Sequence, residues 1–469
     1  MNKYKKLIGN SAIFAVGNLG SKLILIFLVP LYTYYLTAVE YGTIDIITTT
    51  SSLLLPIISL SIFDAVLRFV MDKKYPNDVV FTNALIITIL GSIIALLFYP
   101  IFVYFNVLSG LLEYMYTILI IQAFQTMLTQ FIRAIGKIKV YALNGIIMTL
   151  VTAVFNIIFL VKYNMGINGY FLSIIIANLI SIVYLTLYTK ILSYIRFDKI
   201  NKKITVKMLV YCIPLIPNAF MWWTINASNR YFILFFVGAS ANGLFAVANK
   251  IPSLLSILNT VFFQAWQLSA IEEYNDEGKS NFYSKTFSYF SMILFLGTSG
   301  ILLVLKFITS TLVSNEFYQS WQFVPFLLIG IIFSSFSGFL GTNYIAAKQT
   351  GGVFRTSVIG GVVNVIANII FIPLVGTNGA GISTMISFFV VWVLRYYDTK
   401  KYINMKLNVR IITLNLLLIS IQIFILFIDF TIFKEFFIEL ILFLLVIIVN
   451  RKIIKLFKQI ITTTVKKFV

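Results

Sequence analysis

Apolar runs of twenty residues or more follow one another along almost the whole chain, separated by short charged loops. A helix needs about 20 apolar residues to span the hydrocarbon of a bilayer. By that measure fourteen spans are expected. In the first half they lie at about 9–36, 43–67, 80–105, 113–133, 141–161 and 168–189. In the second half they lie at about 209–237, 243–269, 285–309, 323–346, 354–374 and 379–397, followed by 410–429 and 434–450. The N-terminal Met1-Asn-Lys-Tyr-Lys-Lys looks like the basic region of a signal peptide, but the apolar segment after it is too long and lacks a small-residue cleavage site. It is read as a retained first membrane helix.

Composition supports a polytopic helical membrane protein. Of 469 residues, 60% are hydrophobic and 11% charged, with a mean hydropathy of +0.96, too little charge to cover a soluble domain of this length. A net charge of +20 would suit nucleic acid if it were gathered in one patch, but it is spread over alternate loops. With the N-terminus inside, inside segments and tails collect 30 of the 36 lysines and arginines; outside loops hold only Lys162, Lys306 and Lys434, and Lys22, Arg230 and Lys250 fall within spans. This is the positive-inside pattern, with both termini cytoplasmic, and a missed helix would invert everything after it. No nucleic-acid partner is expected. Histidine is absent, which removes the commonest general base and metal ligand; no metal site is expected. Cys212 is the single cysteine and reads as a small buried apolar residue.

The chain repeats itself. Phe155-Asn156-Ile157-Ile158-Phe159 recurs as Ala367-Asn368-Ile369-Ile370-Phe371, and Gly166-Ile167-Asn168-Gly169 as Gly376-Thr377-Asn378-Gly379, at an offset of 210–212 residues. A fainter match sets Glu40-Tyr41-Gly42 against Ala241-Asn242-Gly243. The expected fold class is therefore an all-α integral membrane protein of two pseudo-symmetric six-helix lobes, 1–200 and 201–403, with two added helices and a basic amphipathic tail at 404–469. An even number of helices per lobe gives a parallel repeat.

Arg230 and Lys250 lie about ten residues either side of the turn Gly238–Gly243. At ~1.5 Å per residue both sit roughly 15 Å from it, at one depth. Charges there are costly and usually face a bundle interior or a wet cavity, so two level cations suggest a place for an anion. Five of the nine prolines, Pro30, Pro56, Pro214, Pro217 and Pro252, fall in the first two helices of the two halves. Interruptions at corresponding places point to a transporter's central site and to hinges or gates, although static kinks would leave the same trace.

Several segments resemble the multidrug/oligosaccharidyl-lipid/polysaccharide exporter superfamily and, within it, Wzx-type polysaccharide repeat-unit flippases. They are Gly9-Asn-Ser-Ala-Ile-Phe with Lys22 and Pro30, Leu36-Thr37-x-x-Glu40-Tyr41-Gly42, Leu67-Arg68-Phe69, and Ser228-Asn229-Arg230-Tyr231. Further on come Gly238-x-x-x-x-Gly243-Leu-Phe-Ala-Val-Ala-Asn-Lys250-Ile-Pro252 and Gln264-Ala-Trp-Gln-Leu-Ser-Ala-Ile-Glu-Glu-Tyr274. One position departs: relatives commonly carry an acidic residue where this chain has Asn229. The resemblance implies a V-shaped alternating-access transporter in the cytoplasmic (inner) membrane of a bacterium. It would move an isoprenoid-diphosphate-linked oligosaccharide from the inner to the outer leaflet for capsule, O-antigen or exopolysaccharide assembly. Such a protein is not an enzyme and breaks no bond. It has no cofactor beyond coupling to a proton or sodium gradient or the membrane potential, and its partners are the lipid-linked oligosaccharide, membrane lipids and polymerase or assembly proteins. A peptidoglycan-precursor flippase or a drug exporter of the same superfamily is the alternative.

On this reading Arg230, Lys22 and Lys250 are the diphosphate-binding candidates. Arg230 leads, because a guanidinium holds phosphate bidentately and stays charged in any environment. Lys22 has an ion pair with Asp45 as its alternative, and Lys250 a reach to the outer interface. Asn18, Asn218, Asn226, Gln264 and Thr49 are cavity-lining candidates; hydroxyls of the run Thr48–Ser52 could equally bond back to their own helix. Asp45 and Asp64 are the candidates for ion coupling, or are solvated near an interface. The short outside loops leave no place for the catalytic carboxylates of a glycan polymerase or ligase.

Overall fold

The computed structural model describes residues 24, 27–72, 74–106, 108, 110–347 and 351–452; the side chains at 218, 264, 265, 268, 271, 272 and 275 are outside the description. Every regular element among the described residues is helical. Eleven helices are long and apolar enough to cross a membrane, or twelve when the bent pair Ala239–Ala248 and Lys250–Phe263 counts as one span. The expected span 9–36 lies mostly outside the described residues. The expected span 434–450 appears as Ile432–Val449, an 18-residue helix whose three charged residues, Lys434, Glu435 and Glu439, set it apart from the others. Contacts divide the chain into two compact units, Met1–Ala227 and Ser228–Val469.

In the first unit the helices are α1 (Val29–Tyr35), α2 (Ala38–Ile58), α3 (Ile62–Met71), α4 (Asn77–Tyr104), α5 (Leu112–Ala134), α6 (Ile138–Asn156), α7 (Gly166–Thr189), α8 (Lys202–Cys212) and α9 (Leu215–Ala227). Thr37 and Glu40 form a capping box that starts α2: Glu40 N–H donates to Thr37 Oγ1 at 3.2 Å, and Thr37 N–H to Glu40 Oε2 at 2.9 Å. The single expected span 43–67 breaks into α2 and α3 just after Pro56, where Leu60 and Ser61 take left-handed conformations. Ile62, Val66, Phe81, Met127, Phe131, Leu185 and Cys212 form the apolar core that joins α3, α4, α5, α7 and α8. Cys212 is fully buried there, as its sequence context suggested.

The second unit holds α10 (Asn229–Phe236), α11 (Ala239–Ala248), α12 (Lys250–Glu272), α13 (Lys279–Leu312), α14 (Val324–Ala346), α15 (Gly351–Val375), α16 (Asn378–Thr399), α17 (Val409–Leu426) and α18 (Ile432–Val449). Helix α14 is the most enclosed, packing against α12, α13 and α16. Its Phe339 sits 4.3 Å from the Trp266 ring and 5.2 Å from Phe287. The two added helices pack on α13, and the charges at that contact are paired. Lys306 meets Glu435 at 2.7 Å, and Gln422 donates to Glu439 at 2.9 Å while accepting from Ser299 at 2.7 Å. Intramembrane charges are tolerated on such terms.

The glycine repeat has a physical cause in both units. Gly166 and Gly376 adopt φ of +53° and +62°, turning the chain into α7 and α16. Three residues later a Cβ on Gly169 would meet Phe159 Cβ at 2.9 Å, and one on Gly379 would meet the Phe371 backbone at 2.4 Å. A left-handed turn followed by close helix approach requires glycine at both places.

Candidate functional site

Arg230 and Lys250 do not lie mid-helix, as the uninterrupted spans implied. Ser228 separates α9 from α10, so Arg230 stands in the first turn of α10. Asn249 separates α11 from α12 at a bend of 40°, so Lys250 opens α12. Both side chains are half-buried. Each cation thus sits at a helix start, where the backbone dipole also favours an anion.

Beside Arg230, Asn229 is 3% exposed. Its amide donates to Thr384 Oγ1 at 2.6 Å and to the Ala380 carbonyl at 3.3 Å. Asn368 donates to Asn229 Oδ1 at 2.7 Å and to Asn364 Oδ1 at 3.0 Å, and Ser228 donates to Asn364 at 3.2 Å. The result is a neutral amide cluster joining α10, α15 and α16. Among the described residues Asn364 Nδ2 and Asn368 Oδ1 are buried without a partner, so the cluster retains one donor and one acceptor with which to rearrange.

In the first unit, Asp45 on α2 and Asp64 in the first turn of α3 are half-buried. Thr49 is buried, and its carbonyl accepts the Trp223 indole N–H at 3.1 Å, tying α9 to α2. The neighbouring hydroxyls of Thr48, Thr50, Ser51 and Ser52 donate to carbonyls of their own helix. Asn226 is exposed and donates to the Trp222 carbonyl at 2.8 Å. Asn18 and Lys22 lie outside the described residues, as do the side chains of Asn218 and Gln264.

The prolines cluster at helix breaks. Pro30 lies in the first turn of α1 and Pro56 inside α2, three residues before Ser59. Pro214 separates α8 from α9, Pro217 follows within the first turn of α9, and Pro252 follows the bend at Asn249.

Three features escaped the reading from sequence. Arg395, counted there among the inside charges, is 2% exposed within α16. It donates to Thr356 Oγ1 at 2.9 Å, Ser357 Oγ at 3.1 Å and the Ser337 carbonyl at 2.8 Å, fastening α14, α15 and α16 together. Asn156 donates to the Tyr32 hydroxyl at 3.0 Å, joining α6 to α1. Lys306, assigned to an outside loop, is the partner of Glu435 described above. The recurring Asn in the repeat was the available signal for the second of these. Nothing in the chain order announces the other two.

Solved structures place this architecture. An inward-facing multidrug-resistance MATE family transporter of the MOP superfamily has a TM-score of 0.67 at 12% identity, over 82% of this chain and 94% of that one. The lipid II flippase MurJ, in an inward closed conformation, has 0.69 at 14%, over 96% and 100%. A MOP superfamily transporter from Pyrococcus furiosus has 0.58 at 15%, over 84% and 95%. The molecule is thus a multi-pass membrane protein with the MOP transporter fold, the multidrug/oligosaccharidyl-lipid/polysaccharide exporter architecture. Within that class the chain belongs to the polysaccharide biosynthesis protein family, whose model matches residues 7–267. No functionally curated protein matches the sequence.

Proposed function

We propose that this protein flips an isoprenoid-diphosphate-linked oligosaccharide repeat unit from the inner to the outer leaflet of a bacterial cytoplasmic membrane, by alternating access, with both termini cytoplasmic. The observation that carries this reading is membership of a polysaccharide biosynthesis family by a chain with a transporter fold. Arg230 and Lys250 supply the chemistry: two cations in one unit, each at a helix start, suit a diphosphate. Lys22 would add a third positive charge. Polar groups at Thr49, Asn226, Asn218, Asn18 and Gln264 would face the sugars. Helix breaks at Pro56, Pro214, Pro217 and Pro252, with Pro30, would supply the hinges. Because Asn229 is an amide already held by neutral partners, coupling to a proton or sodium gradient falls to Asp45 or Asp64. Assembly or polymerase proteins would take the product on the outer face.

The test is depletion of the protein in its host, with analysis of isoprenoid-diphosphate glycans. Accumulation of one complete repeat unit on the cytoplasmic side is expected. Accumulation of peptidoglycan precursor alone would move the assignment to that substrate, which the MurJ likeness keeps in view. No change in lipid-linked glycans, with new sensitivity to cationic dyes, would overturn the reading in favour of a drug exporter.

A further inference from the structure

A cavity of about 190 Å³ lies in the second unit between the start of α13 and the start of α17. The loop-charge pattern puts this end of both helices on the inside. Lys285 and Lys406 flank the cavity and are exposed, Ser288 supplies a hydroxyl while that of Ser284 donates to the Ser280 carbonyl at 2.6 Å, and Phe287 and Ile412 form a buried apolar floor. The wall is preformed. Lys406 N–H donates to Ser284 Oγ at 2.9 Å, and Ser280 Oγ donates to the Asn404 carbonyl, fastening the 400–408 loop to α13. Asn408 caps α17 by accepting from Ile411 N–H at 3.3 Å, so the first turn of that helix lines the cavity with its positive dipole end.

Two ammonium groups, the Ser288 hydroxyl and a helix start all favour a phosphate ester. The apolar floor favours an amphiphile over a free ion, because inorganic phosphate has nothing to place against Phe287 and Ile412. At 190 Å³ the space is below the ~300–1,000 Å³ of a drug-sized pocket, which suits a lipid headgroup and not a whole repeat unit. We propose that this cavity binds the phosphate headgroup of an anionic phospholipid of the inner leaflet, with the acyl chains left in the bilayer. The site is separate from the glycan-transport reading and stands or falls without it.

The test uses the full-length protein in neutral detergent with added phosphatidylglycerol or phosphatidylcholine, and counts retained lipids by native mass spectrometry. At about 1 kcal/mol per basic residue near the membrane surface, Lys285→Gln/Lys406→Gln should weaken phosphatidylglycerol binding by roughly 30-fold. Lys285→Arg/Lys406→Arg should keep it, which separates lost charge from lost fold. Lys400→Gln/Lys401→Gln, in the same loop but not lining the cavity, should leave it unchanged. Equal phosphatidylglycerol retention by the Gln pair overturns the proposal. Complete displacement of phosphatidylglycerol by millimolar inorganic phosphate would overturn the lipid assignment and leave a simple phosphate site.

Discussion

The two units solve one packing problem with different polar chemistry. Each carries the repeated Asn, on α6 and on α15, then a left-handed glycine, then a glycine pressed against the preceding helix. In the first unit that helix loses α-register after Asn156 and runs through the π-helix Ile157–Lys162, which accommodates the two extra residues before Gly166. In the second unit α15 continues unbroken to Val375. Asn156 meets one hydroxyl, that of Tyr32, whereas Asn368 enters a cluster with Asn229, Asn364, Ser228 and Thr384. The next helices, α7 and α16, differ too. Ser181 donates to Asn144 and accepts from Gln125, a neutral set, where the second unit uses the guanidinium of Arg395. The backbone solution was kept in both halves while the second acquired the denser side-chain network. That unit therefore depends more heavily on single side chains.

The largest expected effect is at Arg395. Arg395→Met removes charge-assisted hydrogen bonds to two neighbouring helices, α14 and α15, and should cost about 3 kcal/mol or more, read as a lowered unfolding midpoint of the solubilised protein. Ser181→Ala in the first unit should cost about 1 kcal/mol. Equal effects would refute the asymmetry. Next come the glycines. Gly379→Ala drives a methyl into the Phe371 backbone, where neither side can yield, and should cost about 2 kcal/mol even after the gain of about 1 kcal/mol in helix propensity. Gly169→Ala meets Phe159 Cβ at a longer distance and should cost roughly half as much.

The amide cluster gives a smaller and sharper test. Asn229→Ala should destabilise by about 2 kcal/mol and Asn156→Ala by about 1 kcal/mol. Combined with Asn368→Ala, Asn229→Ala should show a coupling energy of roughly 0.5–3 kcal/mol in a double-mutant cycle. Simple additivity would mean that the cluster is not a unit. Smallest is the exposed cap of α2: Thr37→Ala should cost about 0.5 kcal/mol. Gly238→Ala, at the matching start of α11, acts through its φ of +121°, which alanine adopts only under strain. A loss at Thr37 equal to that at Arg395 would abolish the ranking.

Much of the architecture was legible along the chain. Apolar length marked the helices, and Gly166–Gly169 and Gly376–Gly379 the repeated turn, because these are properties of local backbone and of solvent. The breaks at Ser59–Ser61, Ser228 and Asn249 were less visible, since an apolar run reads the same whether or not one residue leaves the helix. The partners of Asn229, the burial of Arg395 and the pairing of Lys306 with Glu435 were decided only by tertiary structure. Helices apolar on every side carry no amphipathic stripe to say which face turns inward. Their rotation, and with it the meeting of one polar side chain with another, is set by packing against neighbours far away in the chain.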